Sequence, residues 1–337
     1  MKKQTDVPAL RWGFVGTGGI ANAMAQVIAM TPLAELQAVS SRRATSANEF
    51  ADRFDVALRF HDWQAMLESD DIDAVYVATP TSVREEISIA AADAGKHVLA
   101  EKPFASSASV KRIIEACRRN DVAFMDGTHF VHHPRHHAIK NGMAELVGNP
   151  WSVASAFQFG LPNRGDIRYN TELEPMGAIG DAGWYNMRAA LEYLPRDAAP
   201  VFVEAVLRRD EETGAAISGS GVIQFTGGST TTWNCGFDSG ALVMDLCITG
   251  FKGVINIDNF LGQDEDGSAS YFYKQGSWGP DVIREVRRIE SSLSGAALMF
   301  EDFAAIAAKP ELREDFAWAT LHTQKLLDAC WEAATRT

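Results

Sequence analysis

The segment Leu10–Ala21, LRWGFVGTGGIA, limits the fold more than any other stretch of this chain. A short apolar run, Leu10–Val15, meets the glycine turn Gly16-Thr17-Gly18-Gly19-Ile20-Ala21, and Ala21–Met30 then reads as a helix stopped by Thr31-Pro32. A buried strand that feeds a helix through such a turn is the start of a βαβ unit. Glycines permit the tight turn and let backbone N–H groups approach a pyrophosphate, whose charge the helix N-terminus favours. The pattern GxGxxA alone is weak, because a ligand-free turn in an α/β domain shows it too. The segments that follow decide in favour of dinucleotide binding.

Leu33–Ser40 is a second strand candidate, and Ser46-Ala47-Asn48-Glu49 has the spacing of a capping box for a helix to Phe54. Asp62 can cap Trp63–Glu68. Ala74–Ala78 is a strand, Val83–Ala94 a helix ended by Gly95, His97–Ala100 a strand, Val110–Asn120 a helix and Val122–Met125 a strand. Near-continuous apolar strands alternating with helices predict a parallel sheet covered on both faces. After Gly127 the rhythm changes. Helices are expected over His136–Leu146 and Ile179–Leu194, with alternating strand-like segments at Trp151–Phe159, Phe202–Arg208, Ser220–Phe225, Thr230–Phe237, Leu242–Thr249 and Val254–Ile257. Strands without intervening helices predict a mostly antiparallel sheet. Helices over Ala296–Ala308 and Glu311–Ala334 close the chain.

At 337 residues the chain exceeds the usual single-core limit. The expected fold is therefore α/β in two domains. A Rossmann dinucleotide-binding domain covers 1–127, and an α+β domain with a large, mostly antiparallel open sheet covers 128–337. An open sheet face needs covering, which predicts a homodimer or homotetramer. The net charge of −13 opposes binding to nucleic acid phosphates or anionic lipid. The cysteines Cys117, Cys235, Cys247 and Cys330 form no CxxC pair and read as reduced core thiols. No apolar run suits a signal peptide or a transmembrane helix, so a cytoplasmic protein is expected.

The end of the second strand bears on which dinucleotide binds. NAD sites place Asp or Glu there to hold the ribose 2′-OH. This chain has Ser40-Ser41-Arg42-Arg43. Hydroxyls and guanidinium groups suit a 2′-phosphate, so NADP is predicted over NAD; the bland reading is that Arg42 and Arg43 are solvated loop charges. Glu101-Lys102-Pro103 follows the strand His97–Ala100, at the carboxyl edge where such sheets bind ligands. A lysine in a closed cleft can serve in proton transfer, although a lysine after a strand is more often a surface charge. In GAIGDAGWYN, Gly177–Asn186, Asp181 and Tyr185 share one helical face with Arg188. A tyrosine beside a lysine suits the acid/base chemistry of a hydroxyl losing a hydride. The bland reading makes Asp181 an N-cap and Tyr185 a core aromatic.

These motifs occur together. GTGGIA, AVYVATPT (Ala74–Thr81), AEKP (Ala100–Pro103) and GAIGDAGWY (Gly177–Tyr185) stand in an order and spacing that resemble the Gfo/Idh/MocA oxidoreductases across essentially the whole chain. The family groups glucose–fructose oxidoreductase, inositol dehydrogenase, dimeric dihydrodiol dehydrogenase and the rhizopine-catabolism proteins. The resemblance implies oxidation or reduction of a CH–OH carbon with NADP(H). The implied substrate is an aldopyranose such as D-xylose or D-glucose, or a related cyclic polyol or diol. It implies cofactor contacts from Gly16, Thr17, Gly18, Gly19, Ile20, Ser41, Arg42, Arg43, Ala78, Thr79, Pro80, Glu101 and Lys102. It makes Lys102 and Tyr185 the acid/base pair and Asp181 the residue that orients substrate hydroxyls. Some relatives act instead as NAD-dependent glycosidases or nucleotide-sensing regulators. Arg84 stands in TPTSVREE where many members carry histidine.

Of the chain's eight histidines, five fall within His129–His137, HFVHHPRHH. His132/His136 and His133/His137 have helical chelate spacing. Pro134, however, starts the helix between them, and no cysteine or carboxylate nearby completes a site. No metal is expected, since the chemistry that the resemblance implies needs none. His129 and His132 are expected to border the cleft, with His136 and His137 on a solvated helix. His132, Arg135, Arg168 and Trp184 are the candidate substrate contacts.

Overall fold

The computed structural model describes residues 7–276 and 282–336. The chain forms two compact units, 1–129 with 295–321, and 130–294 with 322–337.

The first unit is built on a six-stranded parallel sheet. Its strands are β1 (Leu10–Val15), β2 (Ala34–Ser40), β3 (Leu58–Phe60), β4 (Ala74–Val77), β5 (His97–Ala100) and β6 (Phe124–Asp126), in the order β3-β2-β1-β4-β5-β6. The helices between them are α1 (Gly19–Ile28), α2 (Ala44–Phe54), α3 (Trp63–Leu67), α4 (Thr81–Asp93) and α5 (Ser107–Arg119). This order reverses direction between β1 and β4, and ligands of such sheets bind outside the carboxyl ends of the strands at that reversal. The central strand β4 is buried throughout, as its uninterrupted AVYV sequence predicts.

The sequence-based division assigns all of 128–337 to the second domain, yet a late helix, Gly295–Ala308, clusters with the first unit. The reason is aromatic packing. Phe300 meets Trp12 edge-on at 5.0 Å, and Phe303 lies 4.9 Å from the same ring. Helix α2 begins at Ala44, ahead of the expected capping box, and its N-cap Arg43 makes no side-chain cap.

The second unit starts with α6 (Pro134–Leu146), where Pro134 occupies the first turn and His133 is the N-cap. Its sheet contains β7 (Pro150–Gly160), β8 (Pro200–Arg209), β9 (Ala216–Phe225), β10 (Thr230–Gly236), β11 (Asp238–Gly250), β12 (Val254–Ile257), β13 (Ala269–Gln275) and β14 (Ile283–Ile289). The order is β14-β13-β12-β11-β7-β10-β9-β8, antiparallel at every pairing except β7 with β10. Between β7 and β8 lie α7 (Gly177–Asp181) and α8 (Gly183–Tyr193). They pack on one face of the sheet, where Asn186 donates to the Ser155 hydroxyl at 2.8 Å. Alternate residues point the other way. There, Ala156, Asn234, Asp245, Asn256, Phe272 and Lys274 line an open groove of about 800 Å³. No helix among the described residues is long and apolar enough to cross a membrane.

Candidate active site

The glycine turn is shaped by what it approaches. Gly16 has φ +110°, and a Cβ there would lie 2.6 Å from the Ala78 carbonyl oxygen. Only glycine accepts both the left-handed backbone and that closeness. Gly18 and Gly19, by contrast, face open space: a Cβ on either would meet nothing within 4 Å. They stand at the N-terminus of α1, whose N-cap Gly18 carries no side-chain cap, and the next residue, Ile20, is 42% exposed. An open helix N-terminus with free backbone donors suits a pyrophosphate. The Thr17 hydroxyl lies 3.5 Å from that of Ser41, which joins the turn to the end of β2. Arg42 and Arg43 follow, both exposed. These residues fit a dinucleotide with a 2′-phosphate.

Two loops continue this edge. Ala78-Thr79-Pro80 follows β4 and Glu101-Lys102-Pro103 follows β5. Lys102 is half-buried, while Glu101 turns inward and is buried. Its carboxylate accepts from the Tyr76 hydroxyl at 2.5 Å and from the Lys102 backbone N–H at 3.2 Å. Burial pushes the Glu101 carboxyl above its ordinary value, opposed by the charge of Lys102 and the bond from Tyr76. Gly127 leaves room for it, since a Cβ there would sit 2.7 Å from Oε1. The Glu101 side chain therefore holds the backbone of Lys102 in place and is not itself presented to a ligand.

In the second unit, Asp181 ends α7 and Tyr185 lies one turn on in α8. The intervening Ala182 keeps helical dihedrals, so the two do share a face. Asp181 is not an N-cap. It accepts from Arg168 Nε at 2.8 Å, and Arg168 Nη1 also reaches Asp166 at 3.1 Å. The Asp181 charge, against the opposing effect of burial, raises the Arg168 guanidinium further above its ordinary value. Arg168 thus stays a cation with a geometry set by two carboxylates. Tyr185 is packed by Phe157 at 5.5 Å and Phe130 at 6.4 Å.

The chain matches the family model for oxidoreductases with an NAD-binding Rossmann fold, the Gfo/Idh/MocA model, over residues 10–128. It is 33% identical, over 71% of each chain, to a dTDP-3,4-didehydro-2,6-dideoxy-alpha-D-glucose 3-reductase of Actinomadura kijaniata. The chain belongs to the Gfo/Idh/MocA oxidoreductase family. A D-xylose 1-dehydrogenase (NADP(+)) of Haloferax volcanii is 30% identical over 68% of this chain and 70% of its own length. The solved structure of KijD10, a 3-ketoreductase from Actinomadura kijaniata in complex with NADP and TDP-benzene, superimposes with a TM-score of 0.86 at 27% identity. It covers 95% of this chain and 96% of that one. As a Gfo/Idh/MocA member the chain is an NAD(P)-dependent oxidoreductase acting on CH–OH or keto carbons.

The histidine run of this family member is largely buried. His132, His133 and His136 are buried, and only His137 of the α6 pair is exposed. His136 therefore departs from the expectation of a solvated helix. Its Nδ1 meets the Tyr193 hydroxyl at 3.0 Å and its Nε2 lies 3.4 Å from Glu192, which Lys140 also binds at 2.8 Å. His133 Nε2 pairs with the Gly267 carbonyl at 2.8 Å. Arg135 donates to the carbonyls of Phe260, Gly262 and Ser270. These side chains fasten the segment 260–270. No group of three or more His, Cys, Asp or Glu side chains suited to a metal occurs among the described residues. Trp184 is fully buried, with the Arg188 guanidinium 5.8 Å from its ring centre. Of the candidate substrate contacts, Arg168 alone keeps a partly exposed polar head.

Proposed function

We propose that the chain is a cytoplasmic, homo-oligomeric NADP(H)-dependent oxidoreductase. Its substrate is the CH–OH carbon of an aldopyranose such as D-xylose or D-glucose, or of a related cyclic polyol or diol, or the corresponding keto sugar in the reverse direction. The observation that carries this reading is the carboxyl edge of the parallel sheet. Open glycines at α1, the Thr17–Ser41 contact, exposed Arg42 and Arg43, and half-buried Lys102 all lie on it. The NADP-bound ketoreductase and the NADP-dependent xylose dehydrogenase among the relatives support the cofactor and the substrate class.

When bound, the nicotinamide supplies the hydride acceptor or donor. The chain's residues do the rest. Gly16, Gly18 and Gly19 let backbone donors approach the pyrophosphate, and Ser41, Arg42 and Arg43 bind the 2′-phosphate. Lys102 and Tyr185 move the proton at the reacting hydroxyl oxygen. Asp181 accepts from substrate hydroxyls, and its bond from Arg168 Nε holds it aimed. Pairs of this kind contribute about 10²–10⁴-fold when positioned at hydrogen-bond distance. Residues 1–127 supply the nucleotide side, and 128–337, apart from the stretch 295–321 that clusters with the first unit, the substrate side. The open groove on the large sheet is the face that a second copy covers.

The test offers NADP⁺ and NAD⁺ in parallel with aldoses, inositols and a cyclic trans-dihydrodiol, following the near-ultraviolet absorbance of the reduced cofactor. NADPH formed from one of these supports the reading. Equal use of NAD⁺ contradicts the cofactor assignment, and product release without net reduction points to glycosidase chemistry.

A further inference from the structure

Arg84 sits in the first turn of α4, almost fully buried at 4% exposure. That is a poor place for a cation. The N-terminal end of a helix carries partial positive charge, and burial removes the water that would solvate a guanidinium. A local rule broken at this cost marks a position held for another purpose. The partners show the purpose. Nη2 donates to the Thr79 carbonyl, and Nη1 donates to the Pro103 carbonyl and, at 3.2 Å, to the Thr81 hydroxyl. Thr79 belongs to the loop after β4 and Pro103 to the loop after β5. One planar fork therefore ties together two loops separated by more than twenty residues of chain. The Arg84 charge also favours the ionised form of Glu101, the carboxylate that holds the Lys102 backbone.

We infer that Arg84 is a positioning residue that locks the Thr79 and Lys102 loops into one rigid edge, so that cofactor binding and the placement of Lys102 are set together. The inference rests on the proposed role of Lys102. Arg84 is buried with its fork on the two loop carbonyls, and it acts through the carbonyl next to Lys102. Lysine cannot replace it, because a single ammonium lacks the fork needed to hold both carbonyls in a fixed geometry.

The full chain with Arg84→Met, Arg84→Lys and Arg84→Ala tests this by three readouts. Amide hydrogen exchange, which needs no turnover, should speed up in both loops, 78–80 and 101–105, in Arg84→Met. Faster exchange confined to α4 would overturn the clamp. NADPH affinity and kcat should both fall in Arg84→Met, kcat by roughly 10–100-fold, the cost of misplacing a reacting group by about an ångström. Guanidinium ion added to Arg84→Ala should restore part of the turnover, and Arg84→Lys should fall between wild type and Arg84→Met. Unchanged kcat and KM in Arg84→Met would overturn the positioning role even if the loops loosen. If wild type itself binds no dinucleotide, the proposed function fails, and the exchange experiment still decides whether Arg84 joins the loops.

Discussion

Replacing Arg135 with methionine separates two readings of the most unusual segment in this chain. As a substrate contact, Arg135 would matter for KM; as a fastener of residues 260–270, it matters for stability. The guanidinium donates to the Phe260 carbonyl at 2.6 Å, the Gly262 carbonyl at 3.2 Å and the Ser270 carbonyl at 3.4 Å. A hydrogen bond from a charged donor contributes roughly 1.5–3 kcal/mol net. The two shorter bonds count and the longest adds little, which gives about 3–6 kcal/mol. Methionine keeps the apolar stem and relieves the burial of an arginine whose head donates to backbone carbonyls. That relief returns part of the sum, leaving a loss of about 2–4 kcal/mol. For a folding unit of this size the thermal midpoint should fall by on the order of 10 °C. The assay is thermal unfolding followed by circular dichroism, with KM for the sugar measured well below the midpoint. A lowered midpoint with KM within about twofold is expected. An unchanged midpoint with a KM raised tenfold or more would refute the fastening role.

Other expectations follow from the same geometry. Arg42→Ala with Arg43→Ala should weaken NADPH by roughly 10–100-fold, two charge-assisted contacts being removed, while leaving NADH affinity nearly unchanged; titration of nucleotide binding at fixed salt checks this. His136 gives a pH dependence of stability. Burial lowers its pKa below the ordinary 6.5, against the raising effect of Glu192, and burial likewise lowers His133 and His97. The unfolded chain then takes up protons near pH 6.5 that the folded chain refuses, so stability falls as pH drops below about 6.5. Urea midpoints measured between pH 7.5 and 5.5 should show this decline, and His136→Gln should flatten part of it. Glu192 changes in the same direction: burial would raise its pKa, but His136, Arg188 and Lys140 outweigh burial and hold it ionised well below the usual carboxylate range. With a neutral imidazole at pH 7, His136 contributes its hydrogen bond and Lys140 and Arg188 contribute the charge.

The first unit is legible because its strands are short apolar runs punctuated by glycine, proline and helix caps. β1, β4 and β5 coincide closely with the sequence expectation. β3 escapes it, since Leu58–Phe60 is too short to show a period. β14 escapes it for a different reason: the charged residues of IREVRRI fall on both faces of the strand and leave no apolar alternation. In the second unit, Pro134 correctly marks the start of α6, but nothing local says that His136 will be buried. Its burial depends on Tyr193 and Glu192, more than fifty residues away. The partners of Asp181 were legible only as a spacing. Asp166 and Arg168 come from a 3₁₀ turn whose position relative to α7 is a tertiary fact. Arg84 was visible as a departure from the family pattern, while its two carbonyl partners were not.

The central claim is that Lys102 handles the proton in a hydride transfer that uses NADP. The most direct test measures NADP⁺ reduction under saturating sugar by wild type and Lys102→Ala, with NADPH affinity determined on the same samples. In Lys102→Ala kcat is expected to fall by about 10²–10⁴-fold, while NADPH affinity stays within roughly tenfold of wild type. Turnover close to wild type in that variant would contradict the role of Lys102.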